Sequence, residues 1–146
     1  MDGLECSEIN ISELEFSGRI DAEYYQKHYL TYEEEVRKRN SKKMCDLCKF
    51  LIGPFGSAYN TSNYVEESHY RYVRGQDVKP FYLQSNSPRF MDENDYLRLQ
   101  KYALEENDIL ISVVGTLGNA CIIQKQELPA IFSCKSTAIR TLEIDP

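Results

Sequence analysis

The chain has no tryptophan, two histidines and no long apolar run among its 146 residues. With only His28 and His69 to supply imidazole, paired Cys–His chemistry has little to draw on. Both read as surface residues, one on a helix and one at a strand start. An Asn/Asp-Pro-Pro-Tyr/Phe segment, the usual site of adenine methylation, is missing. Roughly eighteen consecutive apolar residues would be needed for a helical membrane span, and no such run occurs. The first residues are acidic and carry no apolar core, so no export signal is expected. Five cysteines without such a signal point to reduced thiols and a cytoplasmic protein. Neither an internal repeat nor a low-complexity linker occurs.

What is present is uneven charge and abundant tyrosine. Net charge is −6, which argues against a protein that simply coats DNA. Residues 1–35 hold ten acids and two bases, whereas residues 37–79 hold nine bases and four acids. A locally basic stretch on an acidic chain suits nucleic acid or a plain solvated surface equally. The eleven tyrosines suit half-buried faces, binding faces among them.

The most informative stretch is Asn107–Ala120. Ile109 to Val114 is a β-branched apolar run, the pattern of a buried strand. Gly115-Thr-Leu-Gly118 breaks it, and a second strand begins at Ala120. The loop carries Ser112, Thr116 and Asn119, short groups able to hydrogen-bond. It is a poor phosphate cradle, because no helix-forming run follows its glycines. An ordinary bulged hairpin explains the spacing as well as a presented polar loop does.

Elsewhere, Met1–Gly18 reads as an extended acidic arm. Asp21 caps a predicted helix with a stripe at Ala22, Tyr25, Tyr29, Tyr32 and Val36. A second helix is predicted from Ser41, with Met44, Leu47, Cys48 and Leu51 facing inward and Gly53-Pro54 stopping it. Cys45-x-x-Cys48 has no second pair at zinc spacing, since twelve residues separate Cys121 from Cys134, so buried structural thiols are favoured. Phe55–Val65 is a turn-rich loop with Tyr59 and Tyr64 interleaved. A strand then runs from His69 and breaks at Gly75, with Arg74, Gln76, Asp77 and Lys79 clustered there. Arg can grip guanine, Gln adenine, and Lys phosphate. Asp77 reads as a turn acceptor. A short helix follows Asp92, and strands are expected at Ala130–Cys134 and Thr137–Leu142. Asp46, Asp77 and Lys79 have the residue types of a metal-dependent nuclease, a pattern chance supplies easily in so charged a chain.

Several of these segments together resemble a known family. The order EENDILISVVGTLGNACII…FSCKSTAIRTL, preceded by RIDAEYY at 19–25, GPFGS at 53–57 and YVRGQDV at 72–78, is similar to the target recognition domain of type I restriction-modification specificity (S) subunits. Where that family usually has glycine before Asp108, this chain has Asn107, which also tolerates a left-handed turn. The family continues past this point through a spacer helix and usually a second recognition domain, so the chain resembles a fragment.

The resemblance implies an α+β fold, with N-terminal helices packed on a curved, mostly antiparallel β-sheet. It implies an acidic arm over 1–20 and one truncated recognition domain over 21–146. It also implies a non-catalytic reader of one half of a split double-stranded DNA site, with no cofactor or metal of its own. The partners would be a methyltransferase (M) subunit and, through it, a restriction (R) subunit. Lys42, Lys43 and Lys79 are expected on phosphates. Ser57, Tyr59, Arg71, Arg74, Gln76, Thr116 and Asn119 are expected at bases, with Lys135 and Ser136 meeting the same ligand. A single-chain restriction–methylation enzyme, the nuclease and a tyrosine-rich protein-interaction module remain alternatives.

Overall fold

Gly18 ends the first ordered element because its backbone is left-handed, at φ +66°. That element, α1 (Ile11–Ser17), is a helix in the computed structural model, which describes residues 5–142. The sequence reading of an extended arm therefore fails over this stretch. Asn10 and Glu13 close the helix start, the Glu13 carboxylate accepting from the Asn10 N–H at 3.1 Å. The second helix, α2 (Lys27–Lys38), begins six residues after Asp21. Asp21 instead accepts from the Tyr24 N–H at 3.0 Å and pairs with Arg19, holding a turn that precedes the helix. Tyr25 is buried there, its hydroxyl 2.6 Å from Ser17 Oγ. The expected α2 stripe is open to solvent at Tyr29, Tyr32 and Val36. These elements belong to the first of two compact units, Met1–Lys43 and Met44–Pro146.

The second unit begins with one helical turn, α3 (Met44–Leu47), and then changes to strand β1 (Cys48–Ile52). The spacing of Met44, Leu47, Cys48 and Leu51 fits a helix, but tertiary pairing overrides it. β1 zips in antiparallel register onto β9 (Ser136–Thr141), from Cys48 opposite Thr141 to Ile52 opposite Thr137. Met44 is exposed rather than inward.

The remaining strands are β2 (Tyr70–Val73), β3 (Val78–Lys79), β4 (Tyr82–Leu83), β5 (Arg89–Met91), β6 (Ile109–Ser112), β7 (Ala120–Ile122) and β8 (Ala130–Phe132). They form a four-stranded sheet β1-β9-β6-β7, a three-stranded sheet β5-β2-β8 and the β3-β4 hairpin. All pairs are antiparallel except β2 with β8. A short helix, α4 (Glu93–Arg98), is capped by Asp92, which accepts from the Asp95 N–H at 2.8 Å. The α+β class and the mostly antiparallel pairing expected from the sequence are present, with strands divided among three sheets.

β8 joins the two parts of the core. All three of its residues are buried, and alternation sends Ala130 and Phe132 to one side and Ile131 to the other. Phe132 packs with Val73, Val78, Leu110, Ile123 and Ala138. Ile131 packs with Tyr59, Tyr72, Met91 and Leu99. Asp108, 1% exposed, accepts two hydrogen bonds from Arg140, at 2.9 and 2.8 Å, and so ties the start of β6 to β9. Asn107 does adopt the left-handed backbone, φ +71°, that this corner requires.

Candidate nucleic-acid interface

Three turns meet on one side of the second unit. The first leaves β6, which ends at Ser112 rather than Val114 because the loop closes on that residue. The Ser112 N–H donates to Asn119 O at 2.9 Å, the Gly118 N–H donates to Ser112 O at 3.0 Å, and Ser112 Oγ donates to Thr116 O. Gly115 and Gly118 have φ of +88° and +80°, positions that favour glycine. The loop then leans on its neighbours: Val113 N–H bonds Lys135 O at 2.9 Å, and Asn119 Nδ2 bonds Val78 O at 3.3 Å.

The second turn is Arg74–Asp77. Asp77 is 1% exposed, and its carboxylate accepts from the Arg74 N–H and Nε, each at 2.9 Å, and from Nη2 at 2.6 Å. Arg74 Nη2 also reaches Ser87 O at 3.0 Å. Hydrogen bonding to Asp77 raises the guanidinium above its ordinary pKa, against the opposing effect of burial. Gly75 lies against the third turn, Ser133–Lys135, so closely that a Cβ there would sit 3.0 Å from Lys135 Cβ.

Between the turns lies a cleft of about 450 Å³. Its aromatic side is a packed tyrosine group, with Tyr59 and Tyr72 centroids 4.7 Å apart and Tyr64 5.6 Å from Tyr72. Burial pushes the Tyr59 hydroxyl up to about 12 and the Tyr72 hydroxyl higher, so both stay protonated, with Tyr59 donating to Asn63 O at 3.1 Å. Arg74, Gln76, Thr116 and Lys135 line the polar sides. The cleft can therefore present donors and a cation around an aromatic surface.

The structure brings together Tyr59, Arg74, Gln76, Thr116 and Lys135 of the sequence-predicted residues. Ser57 is exposed next to Gly56, which lines the cleft. Lys79 and Asn119 are half-buried and do not line it, the latter bonded to Val78. Arg71 is not part of the cleft: strand alternation puts Tyr72 there, while Arg71 bonds Gln84 O and buries its Nε. Ser136 is also misassigned, since it is fully buried on β9. Lys42 and Lys43 belong to the N-terminal unit, whereas the cleft is built wholly from the second. Tyr64, Tyr72 and Val114 line the cleft and were not among the expected contacts. The alternation of Tyr70 and Tyr72 carried the signal for Tyr72.

The nuclease reading does not survive this geometry. Both Asp77 oxygens are engaged by Arg74. Among the described residues no group of three His, Cys, Asp or Glu side chains could hold a metal ion. No described helix is long and apolar enough to cross a membrane.

The fold of this α+β chain is similar to that of a solved structure. A protein from a structural study of the complex assembly and conformational transition of the type I R-M system matches 69% of this chain and 23% of its own, at 17% identity and a TM-score of 0.51. The HsdS subunit from Thermoanaerobacter tengcongensis matches 72% of this chain and 24% of its own, at 14% identity and a TM-score of 0.48. At these identities the likeness is one of fold, and the chain spans about a quarter of the length of either structure. No family model and no curated protein matches the chain.

Proposed function

We propose that the chain is a DNA target recognition domain, extending over 21–146, that reads one half of a bipartite site for a type I restriction-modification complex. The observation that carries this is the cleft itself, where polar groups from three separate turns converge on a fold shared with a type I R-M protein. In this reading the domain performs no chemistry and holds no cofactor. A methyltransferase subunit modifies the target adenine, a restriction subunit acts through it, and the assembly works in the cytoplasm.

Residues divide by chemistry. Gln76 and Thr116 are exposed and short of internal commitments, so they suit base edges. Lys79 and Lys135 suit phosphates. Arg74 serves first as the latch that shapes the cleft, with its Nη1 amine the remaining donor for a base or phosphate. Residues 44–146 carry ten bases and thirteen acids, a net of −3, so affinity rests on a few placed contacts and not on bulk charge.

Selection from a randomised duplex library tests the assignment. Gln76→Ala should relax preference at one base pair, a loss of about 1–3 kcal/mol of discrimination. Lys79→Ala should weaken binding to all sequences alike and lower the salt dependence. Matching loss profiles for the two variants would refute the division of roles.

A further inference from the structure

The β3-β4 hairpin carries a feature that the cleft does not use. Its two-residue loop is Pro80-Phe81. Proline fixes the first position near −65°, and Phe81 has φ +73°, the pattern of a type II turn whose second central position takes Gly or Asn. A bulky side chain there is strained. The ring gains no packing in return, for Phe81 is 94% exposed. Yet the backbone is held firmly. Phe81 N–H bonds Ala120 O at 2.7 Å, Val78 and Lys79 pair with Leu83 and Tyr82, and Asn119 braces Val78. The result is a rigid aromatic tip projecting into solvent, with Leu117 of the adjacent loop 75% exposed.

We infer that Phe81 is a wedge that enters the DNA stack beside the base pairs read in the cleft. This rests on the DNA-reading proposal above. Phe81 lies five positions after Gln76, a reach of roughly 18 Å at most. That is about five base-pair steps at 3.4 Å each, so a duplex that meets both residues meets them within about half a helical turn. Apolar side chains that protrude in this way unstack a base step and kink the duplex, at lowest cost at pyrimidine–purine steps such as TA and CA. The geometry favours DNA over a protein partner. The feature is one ring on a two-residue tip that follows Lys79 in the chain, and the tip is hydrogen-bonded to the strand that leaves the cleft's glycine loop. The wedge adds a sequence preference at a position where no base edge is touched.

The test uses the full chain and duplexes bearing its selected site, with 2-aminopurine moved one position at a time. With the wild-type chain bound, fluorescence should rise several-fold at one step, no more than about five from the pair that Gln76 reads, and that step should be enriched in TA or CA. Phe81→Ala should abolish the rise and weaken binding about tenfold, while preference at the Gln76 pair persists. Phe81→Gly should lose the same signal yet melt at or above the wild-type temperature, which separates lost contact from lost fold. Selective binding without unstacking at any step overturns the wedge and leaves the reading domain standing. Failure to select any duplex removes both. Duplex binding untouched by Phe81→Ala, together with lost binding to a methyltransferase subunit, overturns the wedge in favour of a protein-docking tip.

Discussion

Asp77→Ala should destabilise the second unit by about 3 kcal/mol. The aspartate is 1% exposed and receives three hydrogen bonds from Arg74, one from the backbone and two from the guanidinium. Removing one member of a buried ion pair costs about 3–5 kcal/mol, because the other charge is left without its partner. The Arg74 side chain retains 20% exposure and its bond to Ser87 O, so the lower end applies. For a unit of this size each kcal/mol moves the melting temperature by about 4–8 °C, giving a fall of roughly 12–24 °C. Urea denaturation followed by circular dichroism reads the energy directly. Adding Arg74→Met should recover all but about 1 kcal/mol, since the stranded charge is then gone and what stays unpaired is the backbone N–H at position 74, with Ser87 O left to solvent. A loss below about 1 kcal/mol for Asp77→Ala alone would show that the pair behaves as an exposed one. The account of Arg74 as a latch would then fail, and Arg74 would return to the list of base readers.

Gly53→Ala should cost about 3 kcal/mol, measured in the same assay, because a Cβ at Gly53 would fall 2.2 Å from Phe132 O and 2.6 Å from Ser133 C, backbone atoms that cannot swing aside. Stability should also decline in alkali. Burial pushes Tyr59 from 10.0 to about 12 and the Cys121 thiol from 9.0 to about 11, so the unfolded chain loses these protons first. The contribution is whole below about pH 9 and is lost as pH rises through 12; a urea midpoint that stays flat over that range contradicts it. In the native protein at pH 8, a thiol reagent should label Cys6 and Cys45 quickly and Cys48 and Cys121 slowly. Equal rates at all four would contradict the burial of Cys48 on β1 and Cys121 on β7.

Strands with strong local chemistry were legible in the sequence. β6, β7 and β8 begin where the apolar runs begin, at Ile109, Ala120 and Ala130. α4 starts after Asp92, as its capping chemistry requires. What escaped was decided at a distance. Nothing local makes Cys48–Ile52 a strand, since its partner β9 lies some ninety residues later. α1 was hidden because scattered acids among apolar residues read as an arm, while the Asn10–Glu13 capping pair and Gly18 marked both helix ends. Of the expected site residues, Tyr59, Arg74, Gln76, Thr116 and Lys135 line one cleft, while Ser57 and Asn119 do not. Arg71 and Ser136 do not either, for both lie on strands where alternation decides which face they serve. Residue type alone could not show that Asp77 and Arg74 would spend their polar atoms on each other.

The position of β9 between β1 and β6 bears on how the protein leaves the ribosome. Among the described residues β1 bonds to no other strand, so it waits from its own synthesis until residues 136–141 emerge, a delay on the order of 4–17 s at ordinary translation speeds. Throughout that interval a Phe- and Ile-bearing strand hangs open on the nascent chain. A holdase that binds such segments at the exit tunnel should raise the yield of native protein, and polypeptides cut before β9 should accumulate as aggregates instead of a smaller soluble fold.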